Sequence, residues 1–352
     1  MEKERRFRLV VKSAEEAVHL LKKNFGDKAR VVSVKQVEGK GLARFLCRPR
    51  LEIIAVLGQD REVETESTPE VIEKESVPVQ AEPLVQEVKR FDEKDHYNGG
   101  TLRERMEQIL EKSGFAKLLI EEFLENEAMA DNLTVQQGLN LFFNFLQKSY
   151  EHLSLRPVGR RIALLGPSGV GKTLGICKLL AQEVFIFGRR PIVIKLDSEK
   201  AKGQEALNIF CEVLGLVYYQ EGVDIVPSNL ANCDLFFDCE GVNFFDDEEL
   251  ISFNAKLDQW QVDTRVLVLN ALYDHQFLDK CFSKVDLLKL THCVFTHLDE
   301  NINASKLWKY ILKGGMSPYF FSFGQNLTAD FTQQVLPYLM NKTRIIDVNL
   351  PA

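Results

Sequence analysis

The segment Arg161–Leu174, RIALLGPSGVGKTL, carries the residues with the clearest chemistry in the chain. An apolar run ends at Gly166, and the stretch from there to Thr173 satisfies the pattern G-x-x-x-x-G-K-[ST]. Glycines in this pattern let backbone N–H groups close around a phosphate, and the helix that follows adds its partial positive charge. We expect Lys172 to reach the β- and γ-phosphate oxygens and Thr173 to bind Mg²⁺ through its hydroxyl. The segment therefore predicts a loop that binds the phosphates of a nucleotide.

Aspartates at the ends of other apolar runs are the candidates for the remaining chemistry. Two runs end at Asp197 and Asp238. The carboxyl ends of parallel strands share one edge of a sheet, so both aspartates are expected near the phosphate loop. We expect Thr173, Asp197 and Asp238 to form the Mg²⁺ shell, and Asp197 to be the catalytic residue that orients water. No metal beyond this nucleotide-bound ion is expected.

A third run, HCVFTHLD, ends at Asp299 and bears on the choice of base. A carboxylate can accept hydrogen bonds from the N1–H and N2–H₂ groups of guanine. Adenine offers no such pair of donors and would leave the carboxylate unpaired. Asp299 therefore favours GTP over ATP, and the alternative is that it caps the next helix.

The strands and helices that must position these residues alternate along the chain. From Arg160 onward, apolar runs alternate with helical patterns; the runs are RIALLG, PIVIKLD, CDLFFDCEG, RVLVLNA, HCVFTHLD and YFFSFG. Runs of this kind suit strands of a parallel sheet that is buried on both faces, with helices as crossovers. We predict an α/β domain with a parallel sheet over residues 158–345.

Three regions of different character precede this domain. Residues 1–57 are basic, with Lys and Arg outnumbering Asp and Glu roughly two to one, and combine three strand candidates with one helical pattern. Residues 58–99 are rich in Glu, Pro, Val and Gln and lack an apolar period, which predicts a flexible acidic linker. Residues 100–157 show three apolar stripes at helical spacing, with Thr134 as the N-cap of the third, and predict a small helical bundle.

The basic region leaves several interpretations open. Its positive charges could meet an anionic lipid surface, could be held by the acidic linker, or could form a solvated surface without a partner.

Composition narrows the class of protein further. The chain has 352 residues, which suggests two or three domains, and a formal charge of −7, which argues against nucleic acid as a partner. Its seven cysteines are scattered without a C-x-x-C pattern and are expected to be reduced thiols in a cytosol. No apolar run reaches the ~18–20 residues of a membrane span, and the N-terminus lacks a signal-peptide pattern. We expect a cytoplasmic protein that could still dock on a membrane.

The ordered motifs add a resemblance. GPSGVGKT, LDSEKAKGQEAL, DLFFDCEG, THLDE and SFGQNLTADF resemble the motifs of the signal recognition particle (SRP) family of GTPases. With the basic N-terminal region, they are most similar to the flagellar-biosynthesis members of that family. The resemblance implies a P-loop NTPase G domain, a helical N domain before it and a small basic α/β N-terminal module. It implies GTP and Mg²⁺ as ligands. The candidate phosphate-binding residues are Gly166, Ser168, Gly169, Val170, Gly171, Lys172, Thr173 and Gly241, and the candidate guanine-binding residues are Thr296, Asp299, Gly324 and Gln325.

The family also implies a biological role. Its flagellar members are bacterial GTP-binding proteins that dimerise face to face when loaded and act as targeting factors in flagellar biosynthesis. The resemblance further implies peripheral association with the cytoplasmic face of the inner membrane and a MinD-like ATPase partner.

Several motif positions depart from the family pattern. Lys200 stands where the family has Arg, and Ala206 where it has Gln. In the third motif Glu240 adds a negative charge and Val242 replaces an Arg, and both changes work against charge stabilisation in phosphoryl transfer. His297 replaces the Lys of the fourth motif, and Thr328 replaces a Pro.

These departures spare the phosphate loop. They predict retained GTP binding with weak or lost hydrolysis. The alternatives are a scaffold that acts without nucleotide through protein contacts, and an ATP-dependent kinase or ATPase.

Overall fold

The structure is a computed structural model of the chain. It describes residues 6–11, 29–37, 50–57, 101–126, 133–196, 206–222, 224–227, 230, 232–301, 303–327 and 330–346. Three sequence predictions lie outside these residues: the helix of the basic module, the acidic linker and the position of Asp197. Within the described residues, no helix is both long enough and apolar enough to cross a membrane.

The basic N-terminal region contributes three strands that form a sheet of their own. They are β1 (Arg6–Val11), β2 (Ala29–Val37) and β3 (Arg50–Leu57). β3 lies in the middle and pairs antiparallel with both neighbours. All three runs rich in β-branched residues therefore form the predicted strands.

Three helices follow, as their apolar stripes predict. They are α1 (Leu102–Lys112), α2 (Lys117–Asn126) and α3 (Val135–Glu151). Thr134 caps α3 as expected, and its side chain and that of Gln137 form a reciprocal capping box. The sequence predicts one apolar stripe of α2 from Leu118, Leu119, Phe123 and Leu124. Leu118 is exposed, so this part of the prediction is wrong: the buried face contains Ile120 together with the other three residues.

The rest of the chain forms an eight-stranded sheet with helices between the strands. The elements in chain order are β4 (Arg161–Leu165), α4 (Lys172–Phe185), β5 (Ile192–Leu196), α5 (Ala206–Leu214), β6 (Tyr218–Gln220), β7 (Leu235–Cys239), α6 (Asp247–Gln259), β8 (Thr264–Asn270), α7 (His275–Phe282), α8 (Val285–Leu288), β9 (His292–Thr296), α9 (Leu307–Lys313), β10 (Ser317–Ser322), β11 (Phe331–Thr332) and α10 (Val335–Lys342). Each apolar run quoted from the sequence forms a strand, so the predicted α/β fold class is confirmed.

The strand order is β11-β10-β9-β8-β4-β7-β5-β6. All neighbours pair parallel except β10 and β11, which pair antiparallel. The sequence analysis missed the two edge strands, β6 and β11, because three and two residues are too short to show a pattern.

Apolar side chains cover both faces of the sheet, as continuous apolar strands require. One face packs against α4 and α5 through residues such as Leu164, Ile176 and Phe210. The other packs against helices α6, α7, α9 and α10, and its core continues into helices α1–α3 through Phe123 and Phe142. The helical segment thus shares one hydrophobic core with the sheet.

This topology determines where a ligand can bind. β4 lies in the middle of the sheet between β7 and β8, at the point where the strand order changes direction. Ligands of open α/β sheets bind at the carboxyl ends of the strands at such a point. β4, β7, β9 and β10 are parallel, so the segments that follow them converge on one edge.

Candidate nucleotide-binding site

The phosphate loop occupies this edge between β4 and α4. Gly169 and Gly171 adopt positive φ angles of 77° and 91°, a backbone conformation that residues other than glycine rarely adopt. At Gly166 an added Cβ would lie 2.3 Å from the backbone oxygen of Val268, so the neighbouring strand leaves no room for a side chain. The glycines in the motif are therefore required by the local backbone, and the N-terminus of α4 faces the loop.

Lys172 is folded back over the loop. Its ammonium group donates hydrogen bonds to the backbone oxygens of Gly166, at 3.0 Å, and Pro167, at 2.8 Å. The side chain is only 7% exposed, and burial lowers the pKa of the ammonium group, while the nearby Asp238 carboxylate acts in the opposite direction. A phosphate group in the loop would offer this cation a stronger acceptor than a neutral carbonyl.

Thr173 and Asp238 lie beside one another, as the Mg²⁺ prediction requires. The Thr173 hydroxyl is 3.1 Å and 3.0 Å from the two carboxylate oxygens of Asp238. Hydroxyl and carboxylate oxygens are the ligands that Mg²⁺ prefers, and Mg²⁺ in nucleotide sites takes its other ligands from phosphates and water. These two residues therefore fit a nucleotide-bound Mg²⁺. Asp197 lies outside the described residues, so its part in the shell stays a prediction.

The third motif lies directly against the phosphate loop. A Cβ added at Gly241 would lie 2.0 Å from the Ser168 hydroxyl and 2.7 Å from the Ser168 nitrogen. The N–H of Val242 donates to the oxygen of Gly166 at 3.2 Å. The Val242 side chain is buried, so the position at which the family carries an Arg presents no cation to the site here.

Thr296, at the end of β9, holds the phosphate loop through a hydrogen bond. Its hydroxyl lies 2.8 Å from the backbone oxygen of Val170 and 3.2 Å from that of Leu269. The residue is buried, and a Cβ added at Gly171 would lie 3.7 Å from its methyl group. His297, next in the chain, has a left-handed backbone with φ of 56° and contacts the same hydroxyl through Nδ1. The structure thus brings Thr296 to the phosphate loop, although the sequence analysis assigned it to the base.

The segments after β9 and β10 form the end of the site that is assigned to the base. Asp299 is exposed, and its negative charge contributes to raising the pKa of Tyr338 to about 12, after the larger effect of burial. Gln325 is exposed and lines a cavity of about 640 Å³ together with Thr173. The other described lining residues are Leu174, Cys177, Ala206, Leu207, Phe210, Asn326, Leu327 and Asp330. The cavity therefore joins the phosphate end of the site to the loop after β10.

The sequence analysis missed one residue that connects these parts, Lys178 in α4. It is fully buried, and its ammonium group donates to Ser322 Oγ at 2.7 Å and to the backbone oxygens of Gly324 at 2.7 Å and Asp330 at 2.8 Å. Burial lowers the pKa of Lys178 to about 8, against the smaller raising effects of Asp330 and Asp299. The available signal was a lysine four residues after Leu174, on a helix whose other periodic residues are apolar.

The fold and the site define a class: an α/β domain with a P-loop between β4 and α4. No protein-family model matches the chain. Among curated proteins, the flagellar biosynthesis protein FlhF of Bacillus subtilis (strain 168) is 22% identical in an alignment that covers 92% of this chain and 95% of that protein. FlhF of Helicobacter pylori (strain J99) is 24% identical over 199 residues, which cover 54% of this chain and 43% of that protein.

Solved structures lead to the same class. The crystal structure of FlhF complexed with GTP and Mg²⁺ superposes with a TM-score of 0.57 at 18% identity, and covers 68% of this chain and all of that one. FtsY from Mycoplasma mycoides superposes with a TM-score of 0.55 at 12% identity, and covers 68% of this chain and 88% of that one. At these identities the structures establish the fold. Together with the sequence match, they confirm the resemblance carried by the motifs: the chain is similar to FlhF proteins and to the signal recognition particle receptor FtsY.

Proposed function

We propose that the chain binds GTP with Mg²⁺ and uses the bound state as a switch in positioning the flagellar apparatus. One observation carries this proposal: Thr173, which follows Lys172 of the phosphate loop and contacts Asp238, lines one cavity together with Gln325. The FlhF structure complexed with GTP and Mg²⁺ supports it, since a protein of the same fold binds this ligand pair.

The proposed roles follow the residues of the site. Backbone N–H groups of residues 166–171 and Gly241 would surround the phosphates, and Lys172 would neutralise them. Thr173, Asp197 and Asp238 would hold Mg²⁺, which polarises the phosphates when bound. Asp299, Gly324 and Gln325 would select guanine.

The proposal includes weak hydrolysis. Glu240 adds a negative charge directly before Gly241, which lies against the phosphate loop, and the buried Val242 supplies no cation. Both oppose stabilisation of the charge that develops in phosphoryl transfer. Asp197 remains the best candidate to orient water.

The proposal also covers organisation and location. Residues 1–57, 58–99, 100–157 and 158–345 would be the basic module, acidic linker, N domain and G domain. GTP loading would drive homodimerisation and peripheral docking on the cytoplasmic face of the inner membrane, with a MinD-like ATPase as a further partner.

Nucleotide binding to the full chain tests the core of the proposal. Wild-type protein should bind a fluorescent GTP analogue in a Mg²⁺-dependent manner, and Lys172→Ala should weaken binding by about 100-fold, because a charge-assisted contact to phosphate is lost. Lys148→Ala, which removes an exposed lysine of α3, is the matched control and should bind like wild type.

Turnover separates the two halves of the proposal. GTP hydrolysis should be very slow even at saturating GTP and Mg²⁺. A turnover of ordinary GTPase size that Asp197→Ala abolishes would contradict weak hydrolysis but leave GTP binding intact.

A second candidate function is a scaffold that no longer uses nucleotide. The loop carbonyls already satisfy Lys172, and the third motif presents no cation, which is the observation that favours this candidate. It predicts that wild-type protein ignores GTP at millimolar concentration, a result that the binding titration detects directly.

A further inference from the structure

Lys178 is a charged side chain placed where apolar residues belong, and its contacts show what it holds. The ammonium group makes three hydrogen bonds, to Ser322, Gly324 and Asp330. Three acceptors match the three donors of a lysine ammonium group. A buried charge that lacked them would be strongly unfavourable, so the pocket is built around this cation.

These acceptors bracket the loop that begins after β10. Gly324 and Asp330 mark its two ends, and both give their backbone oxygens to Lys178. Within the loop, the Asp330 carboxylate accepts from the N–H of Asn326 at 2.7 Å. It also lies where a side chain at Gly324 would have to go, 2.4 Å from an added Cβ. Lys178 and Asp330 together therefore fix the course of the loop that carries Gln325.

The anchor belongs to the helix that starts at the phosphate loop. Lys178 follows Lys172 by six residues, a rise of about 9 Å along α4. One rigid helix thus holds the phosphate lysine at its first turn and the loop anchor near its second. Asp299 is also close enough for its charge to act on Lys178.

We propose that Lys178 is a positioning residue for base selection: through Gly324 and Asp330 it holds residues 324–327 in register with the phosphate loop, so that Gln325 and its neighbours meet the base of a bound nucleotide. This inference rests on the proposed GTP binding. It assigns Lys178 no contact with the phosphates. Loss of Lys178 should therefore weaken base discrimination and leave phosphate affinity in place.

The test measures both quantities on the full chain. Affinities for GTP, ATP and inorganic pyrophosphate are determined for wild type and for Lys178→Met, which keeps side-chain length but removes the donors. We expect the ratio of GTP to ATP affinity to fall at least about tenfold, with pyrophosphate affinity within about twofold of wild type. Hydrogen exchange of the Asn326 amide should become faster, while amides in the middle of α4 keep their protection.

Two further variants make the outcome decisive. Ser322→Ala removes one of the three acceptors and should shift the affinity ratio in the same direction by a smaller amount, even if Lys178→Met does not fold. Gln182→Ala, one turn further along α4, is the matched control and should leave the ratio unchanged.

The possible results separate the two proposals. An unchanged GTP to ATP ratio in Ser322→Ala and in folded Lys178→Met would overturn the inference. So would a parallel loss of GTP and pyrophosphate affinity, since that marks a general effect on the helix. Wild-type protein that binds pyrophosphate but shows no preference for GTP would instead contradict the proposed function.

Discussion

At the scale of single residues, the site consists of polar groups that satisfy one another. Lys172 uses carbonyls of its own loop, and Thr173 uses the carboxylate of Asp238. Thr296 holds the loop through the oxygen of Val170. Each of these groups has the chemistry to bind a nucleotide phosphate, its Mg²⁺, or the loop that holds them, so binding would exchange internal partners for those of the ligand.

The buried Lys178 predicts a dependence of stability on pH. Its pKa in the folded chain is about 8, below the ordinary value of 10.5, so the unfolded state binds more protons between these values. The free energy of unfolding should therefore rise with pH across this window, by on the order of 2 kcal/mol between pH 7.5 and 9.5. The carboxylates of Asp330 and Asp299 act on Lys178, and the pKa of Tyr338, raised to about 12, lies above the window.

Urea unfolding at the two pH values measures this effect as the difference between wild type and Lys178→Met, in which other titrations cancel. If the difference in unfolding free energy between wild type and Lys178→Met stays constant or falls with pH, burial does not lower the pKa of Lys178.

At the scale of elements, the contact between the third motif and the phosphate loop is the tightest in the site. Gly241 lies against Ser168 with no space for a side chain, and Val242 donates to Gly166. The backbone after β7 therefore packs directly against the backbone of the loop after β4, so a displacement of one segment should displace the other.

Gly241→Ala tests this pairing. The added methyl group would overlap the Ser168 hydroxyl and backbone, so the third motif should move away from the phosphates and GTP affinity should fall about tenfold or more. A titration with fluorescent GTP measures the effect, and thermal unfolding checks the fold. Gly188→Ala serves as control: its φ of 66° makes the substitution strained, but nothing lies within 4 Å of the added Cβ, so GTP affinity should not change.

At the scale of the whole molecule, Asn303 joins three segments that are distant in the chain. Its amide donates to the oxygens of Ser113, at the end of α1, and Arg344, after α10. Its carbonyl oxygen accepts from Ser305, before α9, and from the N–H of Arg344. The helical segment and the sheet are thus tied together four residues beyond Asp299, in addition to their shared core.

Asn303→Ala should destabilise the chain by about 3 kcal/mol, because partly buried backbone groups of three segments lose their partners at once. Chemical denaturation measures the change. Asn140→Ala removes an exposed asparagine from α3 and should cost under about 1 kcal/mol. Equal effects of the two variants would contradict the role given to Asn303.

The sequence predicted the elements that carry strong patterns. Short apolar runs such as RIALL and LFFDC favoured buried strands, and the glycines of the phosphate loop predicted its backbone conformation. The two edge strands, β6 and β11, were not predicted because they are too short to show an alternating apolar pattern. The place of Thr296 at the base stays a prediction: a motif gives the order of residues, and only the fold shows that the Thr296 hydroxyl contacts the phosphate loop. Lys178 and Asn303 were missed because they meet distant partners only in the fold. Ser322 lies 144 residues from Lys178 in the chain, and Ser113 lies 190 residues from Asn303.

The two ends of the large sheet carry a consequence for how copies of the chain can meet. β6 has three residues and β11 has two, so each rim offers few backbone groups to an incoming strand. Continuing the sheet from one molecule into the next is therefore disfavoured. At these two rims, crowded chains have little opportunity to stack into fibres by strand addition, and an association there has to use side chains.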